Sequence, residues 1–106
     1  MAEKVFYGKG IKRIKKEDPQ LYDSIEKLDK NVWNANSLDY RTQKLIAIAI
    51  SATNPDSSSF LKQVSKAKKE LDISRDEIMD VLKVVLLTSG MVPFNHALEV
   101  VNKLYD

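Results

Sequence analysis

The chain contains no cysteine, and that absence excludes more chemistry than any residue present defines. Without a thiol there is no disulfide, no thiolate metal site and no thiol redox chemistry on this polypeptide. Histidine is nearly as scarce: His96 stands alone, and the clustered carboxylates Asp76, Glu77 and Asp80 read as charges at a helix entry, so no metal and no cofactor are expected. Glycine is sparse too. Gly8 and Gly10 flank Lys9, but without a preceding strand or further glycines they do not make a phosphate loop. No apolar run approaches the roughly 20 residues that span a bilayer. The first residues also lack the continuous apolar stretch of a secretory signal, so the expectation is a cytoplasmic protein with no membrane partner.

What is present describes an ordinary globular chain: 106 residues, 43% apolar and 30% charged, enough for one core and too little for two. A single domain over residues 1–106 is expected. The net charge of +2 is unevenly spread, since residues 1–16 hold six Lys or Arg against Glu3, +5 in all, and the remainder sums to −3. This basic N-terminal arm, interleaved with Val5, Phe6, Ile11 and Ile14, reads as an amphipathic helix with a solvated face. No nucleic-acid-binding signature accompanies it. Tyr7, Tyr22, Tyr40 and Tyr105 are scattered without a base-stacking spacing and read as packing residues with a wet hydroxyl.

Helical periodicity runs through the rest, and no strand-like alternation does, so the fold class is all-α with five or six helices. Asp18-Pro19 opens one helix, because the carboxylate can accept from the first-turn amides and proline loses nothing there. Leu21, Ile25, Leu28 and Val32 recur on it as a core-facing stripe, extended by Trp33, until Asn34-Ala35-Asn36 ends it. Ser37 or Asp39 begins the next, whose centre, Leu45 to Ala52, has no polar face. A helix apolar all round must be buried all round, and so short a chain can hardly surround it, so part of that surface is expected to be covered by another subunit. Asn54-Pro55 breaks this helix and Asp56 caps the following one, with Phe60, Val64, Ala67 and Leu71 inward and Lys62, Lys66 and Lys69 on a solvated face. Ser74 and Glu77 have capping-box spacing ahead of Ile78, Val81, Leu82, Val85 and Leu86. Gly90 is the stop, and a last helix is expected from near Pro93, carrying Ala97, Val100, Val101 and Leu104.

From Leu38 onward the chain resembles the carboxymuconolactone decarboxylase family, which also contains the alkylhydroperoxidase D group. The residues that carry the resemblance are Leu38-Asp39-Tyr40-Arg41-Thr42 leading into Leu45-Ile46-Ala47-Ile48-Ala49, then Ala67, Asp76-Glu77-Ile78, Ser89-Gly90, Asn95 and Ala97. It implies an orthogonal, alkylhydroperoxidase D-like helical domain that assembles into homo-trimers or hexamers, with a pocket near the start of the 57–71 helix. The redox branch of the family carries a glutamate, two cysteines and a histidine whose positions fall on Lys44, Asp56, Ser59 and Gln63, and none of the four matches. In that branch the thiol sits at a helix start, where the dipole and free amides favour its anion. Ser59 cannot inherit that role without an adjacent base, which Gln63 is not, and Asp56 opposes any neighbouring anion. No catalytic residue of the family carries over.

The pocket residues that remain are Lys44, Asp56, Ser59, Gln63 and His96. Lys44 could approach the Ser57-Ser58-Ser59 helix start and accept a small carboxylate or phosphate; alternatively it pairs with Asp56 and closes the site. His96 is the residue type to which acid–base chemistry near neutral pH turns first, or else a hydrogen-bonded histidine at a helix start. The resemblance implies either a peroxidase-type oxidoreductase or a carboxy-lyase. With no thiol, the first becomes a role around oxygen or peroxide detoxification exercised with a redox protein partner or through a bound ligand. The second is a lyase or isomerase acting on a small carboxylated lactone, Lys44 holding the carboxylate and His96 moving the proton. A third reading is a non-catalytic oligomeric scaffold.

Overall fold

The computed structural model describes residues 10–34 and 37–106, and the side chain of Ser57 lies outside that description. Residues 1–9 of the basic arm, with Tyr7, Gly8 and Lys9, and the Ala35-Asn36 pair also lie outside it. The described residues form six α-helices and no strand: α1 Gly10–Glu17, α2 Pro19–Trp33, α3 Tyr40–Ala52, α4 Ser57–Leu71, α5 Arg75–Ser89 and α6 Met91–Leu104. The all-α reading holds. The chain divides into two compact units, Met1–Gln43 and Lys44–Asp106, with the division inside α3.

In the first unit the junction between α1 and α2 is built by Asp18. Its amide closes α1 on the Ile14 carbonyl (2.7 Å), while its Oδ1 accepts from the Leu21 amide (3.1 Å) ahead of Pro19. One residue thus ends one helix and starts the next. The far end of α2 is tied to the start of α3 by two contacts, with a third inside α2 holding the indole in place. The Trp33 indole donates to Asp29 Oδ1 (2.9 Å), its ring meets Tyr40 edge-on at 5.5 Å, and Gln43 Nε2 donates to the Val32 carbonyl (2.6 Å) that α2 cannot satisfy itself. Asp39, not Ser37, is the cap of α3, accepting from the Thr42 amide at 2.8 Å.

The stripe on α2 departs from expectation. Leu21, Leu28 and Val32 are 46%, 57% and 44% exposed, so this face does not enter a core of the chain. Periodicity identifies an apolar face but not what covers it, and within the first unit only Ile25 and Trp33 of this stripe are half-buried.

The core lies in the second unit: Ile48 and Ala52 of α3, Phe60, Val64 and Ala67 of α4, Ile73 of the following loop, Ile78, Leu82 and Val85 of α5, and Ala97 and Val101 of α6. α6 packs against both α5 and α4. Of the apolar run in α3, Ile48 is fully buried while Ile46 and Ile50 are 45% and 67% exposed, so the described helices of the second unit cover only part of it.

Turn chemistry fixes the order of packing. Asp72 ends α4 in the left-handed region (φ 53°), and Ser74 and Glu77 form the reciprocal capping box at 3.0 and 3.1 Å. The C-terminus is latched back onto this loop. Tyr105 donates its hydroxyl to the Ile73 carbonyl at 2.6 Å, Lys68 Nζ donates to the Leu104 carbonyl and lies 4.6 Å over the Tyr105 ring, and Arg75 donates to Asn102 at 2.6 Å. Burial first, then the nearby carboxylates of Glu77 and Asp72, pushes the Tyr105 phenol above its ordinary value.

Between α5 and α6 the chain reverses at a single residue, Gly90 (φ 92°, ψ −179°), whose amide donates to the Leu86 carbonyl at 3.1 Å. The last helix therefore starts at Met91, two residues before Pro93. Proline is tolerated there because first-turn amides have no helical partner to lose. A Cβ added to Gly90 would meet nothing within 4 Å, so backbone conformation, not space, requires glycine. This combination of angles is essentially restricted to glycine, and Gly90→Ala is expected to cost about 1–3 kcal/mol. A urea titration reads this as a lowered midpoint with an unchanged slope; an unshifted midpoint would show that the turn relaxes without penalty.

Candidate functional site

The second unit contains a shallow, partly open cleft with room for about one water molecule, lined by Ser51, Ala52, Asn54, Phe60, His96 and Ala97. Three elements supply it: the C-terminal end of α3, the first turn of α4, and the second turn of α6. Ala52, Phe60 and Ala97 are core residues and make a rigid apolar floor.

The polar rim is set by the break after α3. Once Asn54-Pro55 stops the helix, its last carbonyls must find other donors. The Thr53 amide and hydroxyl take the Ile50 carbonyl (3.2 and 2.7 Å), the buried Ser51 hydroxyl takes the Ile48 carbonyl (2.9 Å), and the Asn54 amide takes Ser51 (3.1 Å). Asn54 Oδ1 accepts from the Asp56 amide at 3.1 Å, which leaves the Asn54 side-chain nitrogen as the group able to donate to a ligand. His96 is exposed on α6, with the buried Ala97 beside it. Room for about one water is far short of the roughly 300–1,000 Å³ of drug-sized sites. It offers a small molecule one imidazole, one amide donor and one hydroxyl on an apolar base.

Asp56 governs the adjoining start of α4. Its carboxylate accepts from the Ser58 amide (3.0 Å) and the Ser58 hydroxyl (2.8 Å). Those bonds, the amide's first, with a smaller contribution from the charge of Lys62, hold Asp56 below the ordinary carboxylate value. The helix start, with its orphan amides and positive dipole end, is thus already occupied by an anion from the chain itself. Asp39 does the same for α3: its bonds from the Thr42 side chain and backbone hold its carboxyl below the ordinary value.

The five residues singled out from sequence all lie in the second unit but in different settings. His96 lines the cleft. Asp56 is exposed and caps α4, and Ser59 is half-buried in the first turn. Lys44 is buried in α3 at 3% exposure, and Gln63 is buried in α4 at 7%. Gln63 Oε1 is enclosed without a hydrogen-bond partner. Gln63 follows Phe60 by three positions and shares its face of α4, next to the cleft floor. Sequence reasoning missed Ser51, Asn54 and Phe60 as lining residues. Asn54 was legible only as a helix breaker and Phe60 only as a core residue. Among the described residues no three His, Asp or Glu side chains converge as a metal site, and no helix is long and apolar enough to cross a membrane.

Comparison with known proteins places this geometry in context. The profile of the carboxymuconolactone decarboxylase family matches residues 19–103. An uncharacterized protein, MJ0742, of Methanocaldococcus jannaschii is 50% identical over 104 residues, 98% of this chain and all of the relative. A second from the same organism, MJ1511, is 34% identical over 91 residues, 86% of this chain and 84% of the relative.

The Asp56 cap has a measurable pH signature. A carboxyl whose folded pKa is depressed contributes stability that is fully present above its ordinary value of 3.8 and is lost as pH falls through the lower folded value. Asp56→Asn keeps an acceptor for the Ser58 amide but no charge, so its unfolding midpoint should approach that of the parent as pH falls from 5 towards 2. Parallel pH profiles for the two proteins would show that the charge contributes nothing.

Proposed function

Because the chain belongs to the carboxymuconolactone decarboxylase family, we propose that it serves oxygen or peroxide detoxification as a member without thiol chemistry, through a bound small ligand or a redox protein partner. The observation that carries this reading is the occupied start of α4. Where the redox branch places a thiol to exploit free amides and the positive end of the helix, this chain has the Asp56 carboxylate bonded to the amide and hydroxyl of Ser58. A peroxidatic anion at that place would face a fixed negative charge, and no thiol is available to form one. The protein works as an oligomer in this reading, since α3 leaves Ile46 and Ile50 uncovered.

The test has two arms. Purified protein mixed with hydrogen peroxide and a dithiol reductant should consume peroxide no faster than buffer, and removal of the gene should sensitise the host to peroxide or oxygen. Direct peroxide turnover by the isolated chain sinks the first claim; unchanged sensitivity sinks the second.

One observation favours a second reading, proton transfer on a small carboxylated lactone: His96, the sole histidine, lines the cleft beside an amide donor. General acid–base catalysis by a positioned side chain supplies about 10²–10⁴-fold. If this reading holds, lactone turnover should fall by that factor in His96→Ala and survive in Lys44→Met, since Lys44 is buried in α3 and the cleft is lined by other residues. Turnover unaffected by His96→Ala removes it.

A further inference from the structure

Two enclosed side-chain atoms among the described residues lack a hydrogen-bond partner, Oε1 of Gln43 and Oε1 of Gln63. The two glutamines differ in what the rest of the side chain does. Gln43 donates through Nε2 to the Val32 carbonyl at 2.6 Å, so the join between α2 and α3 accounts for its place. The Gln63 side chain makes no hydrogen bond to any described residue, although it is only 7% exposed. It stands in the inward stripe of α4, between the buried Phe60 and Ala67 and beside Val64. An unsatisfied amide at such a place costs stability that an apolar side chain of the same shape would keep.

Packing therefore does not explain this residue. A proton relay does not either, because a carboxamide does not titrate near neutral pH. What it does is recognise, since one edge presents a carbonyl acceptor beside an N–H donor. Helical side chains lean toward the preceding turn, which lays Gln63 over Ser59 and Phe60. Ser59, four residues earlier on the same face, is half-buried, and its hydroxyl likewise makes no hydrogen bond to a described residue. Phe60 is the floor of the His96 cleft. One turn of α4 thus holds an unpartnered hydroxyl and an unpartnered carboxamide against the ring that floors the cleft.

We propose that Gln63 and Ser59 bind the polar edge of a small uncharged molecule that carries an N–H or O–H donor beside an acceptor, the pattern of a primary amide or an undissociated carboxylic acid. The ligand's donor satisfies Gln63 Oε1, and its acceptor takes the Gln63 N–H and the Ser59 hydroxyl. An ionised carboxylate offers acceptors only and leaves Oε1 unpaired. The neighbouring cation on this face of α4, Lys66, is paired with Glu70 at 3.7 Å, so the surroundings do not select an anion. The size of the cleft fits the same class, since room for about one water admits the edge of a molecule and leaves the remainder at the open mouth. The inference deepens the reading of a bound small ligand and rests on it only in taking the His96 cleft as the way in. Its test uses neither peroxide nor the sensitivity of the host, so the two can fail separately.

Acetamide is the probe, titrated into the ¹⁵N-labelled full chain, with N,N-dimethylacetamide and sodium acetate at neutral pH as comparison ligands that lack the donor. Acetamide should shift the side-chain amide signals of Gln63, identified by their loss in Gln63→Leu, together with the backbone amides of Ser59 and Phe60, along a saturable millimolar curve. Each comparison ligand should bind at least tenfold more weakly, and so should acetamide to Gln63→Leu and to Ser59→Ala. A urea titration adds a readout that needs no ligand. Gln63→Leu should unfold at the parent's midpoint or above it, whereas Gln43→Leu, which loses the Val32 bond, should unfold below it. No saturable shift, or a comparison ligand that binds as tightly as acetamide, overturns the site. Acetamide binding unchanged in one of the two site variants removes that residue from it. A midpoint lowered in Gln63→Leu shows that the carboxamide serves the fold, and overturns the proposal as well.

Discussion

Within each unit the described helices leave part of their own apolar side chains uncovered, and much of the architecture follows from that shortage. Among the described residues eleven hydrophobic side chains form the core and eleven large ones stay exposed, so folding one copy disposes of only part of the hydrophobic surface. Apart from Leu38 and Leu61, the exposed set falls on one face of α2, on Ile46 and Ile50 of α3, and near the turn between α5 and α6. Single exposed leucines on a protein surface need no explanation, but organised ones do. The 44–106 unit therefore relies on a small, fully enclosed centre, in which Ile48, Val64, Ala67, Ile78, Leu82 and Val101 have essentially no solvent contact, and on helix ends that leave few polar groups unpaired.

Those helix ends are where the sequence is most legible. Asp18 before Pro19, Asp39 before Tyr40, Asp56 after Pro55 and the Ser74–Glu77 pair act within three residues of themselves, so spacing alone reveals them, and the structure realises each with a hydrogen bond of 2.8–3.1 Å. Gly90 belongs to the same class, because its angles are a property of one residue. The misplaced start of α6 has the same local origin. Pro93 announces a first turn but does not say which of its residues it is, and the glycine placed the turn two residues earlier. Burial was legible on α4, α5 and α6, whose inward faces are covered by one another. It was not legible on α2, where Leu21, Leu28 and Val32 have the period of a core face and the exposure of a surface.

The candidate site divides along the same line. His96 could be picked out because it is the only residue of its type, a fact of composition. Ser51, Asn54 and Phe60 could not, because each has a sufficient local explanation. Ser51 satisfies a carbonyl one turn back, Asn54 caps the break, and Phe60 fills the core. Only the packing of α3, α4 and α6 in the second unit brings them to one cleft, and that packing is set by Ile48, Ala97 and Val101, which carry no chemical signal at all. Gln63 is the converse case. Its position was marked by resemblance, and its enclosed, unpartnered Oε1 is a cost that a residue chosen only for packing would not incur.

A helix start is a limited resource: four amides and a partial positive charge that one anion largely consumes. In α4 that anion is the exposed Asp56 carboxylate, held on by two bonds from Ser58, and the same group that stabilises the helix thereby removes the electrostatic reason for chemistry at its first turn. The imidazole that lines the cleft stands instead on α6, in a stretch without a single formal charge. The polar groups at the cleft, an imidazole, an amide nitrogen and a hydroxyl, can exchange hydrogen bonds and protons but include neither a strong nucleophile nor a fixed counter-charge. Such groups gain strength chiefly from exclusion of water, since a hydrogen bond exchanged against bulk solvent is worth little net and one made in a dry, low-dielectric site is worth far more. The His96 cleft is partly open, so its polar groups exchange their hydrogen bonds against solvent, and the exposed Val92 one turn earlier on α6 leaves that edge uncovered within the second unit.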